Sequence, residues 1–149
     1  MSKIRLAEPD DSKAVAALVD AAYQVYLPRL GRKPLPMLDD YAARIAAGEV
    51  HVLTEGTEIL GLVVLVPEAD ELLLDNIAVA PSAQGFGHGR RLLAFVEQHA
   101  RDLGFRSIRL FTNVLMTENQ AIYARYGFVE TDRSSEGNIH RVNMRKRLD

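Results

Sequence analysis

No cysteine occurs among the 149 residues. Disulfides, thiolate metal sites and a thiol nucleophile are therefore excluded. No apolar run approaches membrane-spanning length. No excess of basic charge is present either: 18 Lys and Arg stand against 20 Asp and Glu, a net charge of −2. A nucleic-acid binder normally carries a basic surplus, so none is expected as a partner. The opening "MSKIRLAEPDD" has no apolar core of the secretory type, and a cytoplasmic location is the expectation. Internal repeats, low-complexity tracts and linkers are lacking. The length suits one domain with a sizeable core, expected over residues 1–149. No metal or membrane partner is expected.

Hydrophobic residues make up 48% and charged residues 26%, ordinary for a soluble globular chain. "KIRLA" reads as a short strand. In "EPDDSKAVAALVDAAYQVYL", Val15, Leu18, Val19, Ala22, Val25 and Tyr26 recur at helical spacing, with Asp10 or Asp11 as the cap. "PRLGRKPLPM" reads as a loop and "LDDYAARIAAG" as a short helix closed by Gly48. "VHVLTE" and "EILGLVVLVPE" form an antiparallel hairpin, and Leu72–Ala80 a third long strand. A helix then runs to about Leu103 before Gly104. "RSIRLFT" is a strand, "TENQAIYARY" a short helix, and "FVETDR" and "IHRVNMRKR" a final strand pair.

The segment "QGFGHG" places Gly85, Gly87 and Gly89 between the third strand and the long helix. The dinucleotide fingerprint G-x-G-x-x-G requires glycine at 90, where Arg90 stands. The Walker pattern is missing its Gly-Lys-Ser/Thr. What remains is Q-x-x-G-x-G, Gln84 to Gly89. Backbone N–H groups there can converge on one concavity. With the positive end of the following helix they make a pyrophosphate cradle. A plain tight turn is the competing reading.

Asn119 and Tyr123, four residues apart, share one helix face in "ENQAIYARYGF". With "LDNIAVAPSAQGFGHGRRLL" and the order of elements, the chain resembles the GNAT superfamily of N-acetyltransferases along essentially its whole length. The resemblance implies an α+β fold: a central mixed, mostly antiparallel sheet with splayed middle strands, flanked by helices. It implies acetyl-CoA as cosubstrate, with its pantetheine arm against Ile77, Ala78 and Val79. The diphosphate would lie on Gln84, Gly85, Phe86, Gly87, His88, Gly89 and Arg90. A tyrosine at the place of Tyr123 often donates a proton to the departing thiolate. Two family positions are altered. Met116 stands where many relatives have a pantetheine-contacting asparagine, so that role passes to Asn119. Phe111 stands where some relatives have a glutamate base.

An amine of pKa near 10 must lose a proton before it attacks, and a carboxylate is the usual remedy. Asp75 is the candidate base, with Glu71 and Glu118 as others; a solvated carboxylate is the competing reading for each. His51 and His140 can titrate near neutrality or be hydrogen-bonded structural histidines. Arg91 and Arg90 meet phosphates or coat the helix. The acceptor, a small-molecule or peptide amine, falls to "AAYQVYLPRLGRKPLPMLDDY". Tyr23, Tyr26, Tyr41 and Met37 are candidate walls. Arg29, Arg32 and Lys33 oppose Asp39 and Asp40 in charge. Two functions stay open: an N-acetyltransferase, or a non-catalytic acyl-CoA sensor on the same fold. A homodimer is expected, with the alternating "IHRVNMRKRL" as an edge for a second copy.

Overall fold

The computed structural model describes residues 2–148. In chain order, β1 (Ser2–Leu6) precedes α1 (Ser12–Tyr23), α2 (Leu27–Leu30) and α3 (Tyr41–Ala46). Strands β2 (Val50–Glu55), β3 (Glu58–Pro67) and β4 (Leu72–Val79) follow, then α4 (His88–Asp102), β5 (Ser107–Asn113) and α5 (Thr117–Arg125). The last pair is β6 (Val129–Glu136) and β7 (Ile139–Arg147). They form one seven-stranded sheet in the order β1-β2-β3-β4-β5-β7-β6. Every pairing is antiparallel except β4 with β5.

Helices cover both faces. On one face α4 contributes Leu92, Leu93, Val96 and Ala100, a helical stripe that packs on Leu53, Val63, Leu74 and Leu110. On the other, Val15, Leu18 and Val19 of α1 and Ile45 of α3 pack on Val50, Val52, Leu62 and Val64. The double cover explains why β3 and β4 read as near-continuous apolar runs rather than alternating ones.

Two local irregularities shape the cleft. Val64 of β3 pairs with Asn76, and Leu65 pairs with Leu74. Asp75 is thus an extra residue on β4, a β-bulge that kinks the strand. At the same point β4 leaves β5. Their pairs are Leu72–Ile108, Leu73–Arg109 and Leu74–Leu110, and beyond Leu74 there is none. From Asn76 to Val79 the strand is paired on the β3 side only.

Three expectations change. The segment after α1 is not plain loop: it holds α2 and 3-10 turns at Gln24–Tyr26 and Leu35–Leu38. Asp11 takes the cap position of α1 without a side-chain cap bond. It instead accepts from the Glu8 N–H at 2.7 Å and pairs with Arg5 at 2.8 Å. Finally, β7 is not an edge. It lies between β5 and β6, because the closing hairpin folds β6 outward. The free edge on that side is β6, whose eight residues are all exposed.

Candidate active site

Two cavities open along the gap between β4 and β5. The first, about 410 Å3, runs from α1 past Ile77, Ala78 and Val79 to the glycine turn and α5. The second, about 190 Å3, lies among the α2–α3 loop, the middle of β4, the end of β5, and the turn into β7. Tyr23, Ile77, Met116, Asn119 and Tyr123 line both, so the cavities meet there.

The glycine turn is built as the residue pattern requires. Gly85 and Gly87 have φ of 89° and 84°, a region that disfavours side chains. Gly87 is the N-cap of α4 and supplies no side-chain bond to the first turn. Gly89, inside that turn, lacks a positive φ, and a Cβ added there would meet no protein atom within 4 Å. Space against the backbone, rather than backbone conformation, is what its missing side chain provides. Gln84, His88 and Arg90 line the same groove. The Gln84 amide donates to the Val79 carbonyl at 3.2 Å and so ties the turn to β4. Phe86 stands outside the lining and is 75% exposed.

The half-paired backbone of β4 and the glycine cradle fit an elongated group with amides along one arm and a diphosphate at the end. Unpaired strand N–H and C=O groups require partners. The α4 N-terminus offers uncapped N–H groups to an anion.

Tyr123 stands at the junction, its ring edge-on to Phe128 with centroids 6.0 Å apart. Its hydroxyl takes no hydrogen bond among the described residues. Burial, and next the neighbouring Tyr26, raises its pKa, so it remains protonated at neutral pH. Asp75 lines the second cavity and not the first. Burial raises its pKa, Arg44 opposes the shift, and Asp39 and Glu49 add to it. Arg44 reaches Asp75 at 3.2 Å, Glu49 at 3.1 Å and Asp39 at 3.0 Å. A carboxylate shifted this way is a stronger base than an ordinary one.

The other acid candidates are engaged elsewhere. Glu71 accepts from Arg145 and Ser107, and the Arg145 bond foremost lowers its pKa. Glu118 accepts from Arg29 at 2.7 Å, which tethers α2 to α5 and lowers the Glu118 pKa. Neither lines a cavity. His140 lines the second cavity and bonds Ser135 Oγ through Nδ1 at 2.7 Å. His51 packs with Phe95 and His99 under α4, outside both cavities. Its Nδ1 is buried without a partner, and burial pushes its pKa down to about 4.

Of the proposed walls, Tyr23 lines both cavities, Tyr26 the first and Met37 neither; the cations Arg32 and Lys33 line the second. Tyr41 lies beneath in a buried chain of bonds: Tyr23 donates to Asn76 Oδ1, Asn76 Nδ2 to Tyr41, and Tyr41 to the Pro36 carbonyl. Asp40 caps α3 by accepting from the Ala43 N–H. Asn76, Arg141 and the 138–140 stretch, which leads from the turn into β7, are site features that sequence periodicity did not reveal. Asn76 reads as one more residue of an apolar strand, and Arg141 as a strand cation.

The family model described as "Acetyltransferase (GNAT) family" matches residues 14–128. The chain belongs to this family. It is 42% identical over 55 residues to a mycothiol acetyltransferase of Cellulomonas flavigena, covering 37% of this chain and 16% of that protein. It is 29% identical over 92 residues to N-acetyltransferase 8F1 of Rattus norvegicus, covering 58% of this chain and 42% of that one. The chain thus spans less than half the length of these relatives. The fold matches PaiA N-acetyltransferase from Thermoplasma acidophilum, solved with coenzyme A, at a TM-score of 0.85 and 15% identity over 99% of both chains.

Proposed function

We propose that this chain transfers an acetyl group from acetyl-CoA directly to a primary amine. The carrying observation is the meeting of two cavities at Tyr123, whose hydroxyl has no hydrogen bond among the described residues. The cradle at Gln84–Arg90, with β4 at Ile77, Ala78 and Val79, holds the diphosphate and the arm of the cosubstrate. When bound, acetyl-CoA supplies a thioester carbonyl and a thiolate leaving group.

Asp75 takes a proton from the ammonium in the second cavity and frees the nitrogen lone pair. A nitrogen–carbon bond forms and the carbon–sulfur bond breaks, its electron pair going to sulfur. The Tyr123 O–H gives that sulfur a proton and recovers one from the nitrogen's second N–H or from water. Asn119, on the same helix face and at the junction, positions the arm. With no cysteine in the chain, no thiol takes up the acetyl group on the way.

Thiol release from acetyl-CoA over a panel of primary amines tests this reading. Release above the amine-free rate for at least one amine supports transfer. Tight CoA binding with no release for any amine makes the chain an acyl-CoA sensor.

A further inference from the structure

The charge on the second cavity is one-sided. Arg32 and Lys33 line it from the loop after α2, and Arg141 from β7. Among the described residues Asp75 is the only carboxylate on its wall. Asp75 is already held by Arg44, which does not line the cavity. Arg32 and Lys33 are exposed and have no hydrogen bond or ion pair among the described residues. Arg141 has one distant partner, Glu136 at 3.8 Å, and that carboxylate is 81% exposed.

Arg141 is also held in place. Its guanidinium carbon lies 4.6 Å from the centre of the Phe111 ring. A guanidinium set over a ring in this way makes a cation–π contact and keeps N–H groups for a planar, two-oxygen partner. None of the three cations lines the cofactor groove, so they are not placed for the diphosphate of the cosubstrate. Cations of one sign along a cleft concentrate the opposite charge there. At about 190 Å3 the cavity is smaller than the roughly 300–1,000 Å3 of drug-sized sites.

Resting on the acetyltransferase reading, we infer that the acceptor is a small amine bearing a carboxylate, gripped by Arg141 with Arg32 and Lys33 while its nitrogen lies toward Tyr123 and Asp75. An amino acid or a short ω-amino acid has this form. Phe111, where some relatives carry a glutamate, serves here as the platform for Arg141 instead.

The test uses the full chain saturated with CoA. Calorimetry measures binding of 3-aminopropanoate, 4-aminobutanoate, L-methionine and L-glutamate, each beside the analogue with every carboxylate amidated. At least one acid is expected to bind tenfold or more tightly than its amide. Arg141→Gln, and the pair Arg32→Gln with Lys33→Gln, are each expected to cut that ratio below threefold with CoA affinity unchanged, which shows the fold intact. Equal binding of acid and amide throughout, no binding of any acid, or a ratio that neither variant alters overturns the inference. Thiol release is followed on the same panel with spermidine and a lysine peptide added. Turnover confined to amines without a carboxylate overturns the inference and leaves the acetyltransferase reading standing. No turnover on any amine overturns the acetyltransferase reading and, with it, the acceptor role; the calorimetric ratio then decides only whether the cavity selects a carboxylate.

Discussion

The Tyr23 hydroxyl donates to Asn76 Oδ1 at 2.8 Å, linking α1 to the kinked part of β4 across the junction of the two cavities. Asn76 in turn donates to Tyr41 at 3.1 Å, and Tyr41 holds the Pro36 carbonyl of the loop that lines the second cavity. Asn76→Ala breaks both of its bonds and strands polar groups in a buried place. The expected loss is about 1–3 kcal/mol. Urea unfolding measures it, and the loosened loop should raise KM for the acceptor more than KM for acetyl-CoA.

The cradle is best probed at Gly89. Gly87 has a positive φ, so a side chain there strains the backbone whatever is bound. Gly89 has open space and no such strain, and a larger residue in a helix is, if anything, stabilising. Gly89→Val should keep or raise the melting temperature while CoA affinity falls tenfold or more. Calorimetry on a variant that melts no lower than the parent checks both halves; unchanged affinity removes the diphosphate from this turn.

Tyr123→Phe keeps the ring against Phe128 and removes a hydroxyl that bonds nothing among the described residues. Stability should barely change. Turnover should fall about ten- to a hundredfold with KM for acetyl-CoA constant, because a proton donated to the leaving group acts only in the transition state. A lowered melting temperature with normal turnover would make this a packing residue.

Asp75 must be ionised to accept a proton. Its raised pKa places the acidic limb of the kcat/KM profile above that of an ordinary carboxylate, and activity climbs as pH rises through it. Asp75→Asn should remove this limb and lower kcat/KM about a hundredfold or more. A profile that keeps the limb in the variant assigns it to another group.

His51 governs a separate pH effect. Its pKa falls from 6.5 to about 4 in the folded chain. The unfolded chain therefore takes up the proton first, and stability present above pH 6.5 is lost as pH falls toward 4. The loss is at most about 3 kcal/mol. Carboxylates with lowered pKa, such as Glu71 and Glu97, contribute only below about 4.5. Denaturant titrations between pH 4.5 and 6.5 should thus show a slope that His51→Phe flattens.

The glycines, the long α4, the hairpin of β2 and β3, and the face shared by Asn119 and Tyr123 were all legible in the sequence because each depends on residues close together in the chain. The bulge at Asp75 was not. In "LLLDNIAV" an extra residue is visible only against the partner strand, and Val64 and Leu65 are about ten residues away in the chain. The place of β7 inside the sheet was hidden for the same reason: its run alternates whether it has one neighbour or two. The Tyr23–Asn76–Tyr41 chain joins positions up to 53 residues apart, beyond any local pattern.

Between β4 and β5 the sheet has only three rungs, at Leu72–Ile108, Leu73–Arg109 and Leu74–Leu110. In backbone terms the protein is two half-sheets, β1 to β4 and β5 to β6, joined by a short seam. A ligand arm laid along the open part of β4 lengthens that seam and acts as a staple between the halves. Ligand binding and mechanical unity are then one event: slow amide exchange should spread from the three rungs toward Val79 when the groove fills, and the two halves should come apart less readily than in the empty protein.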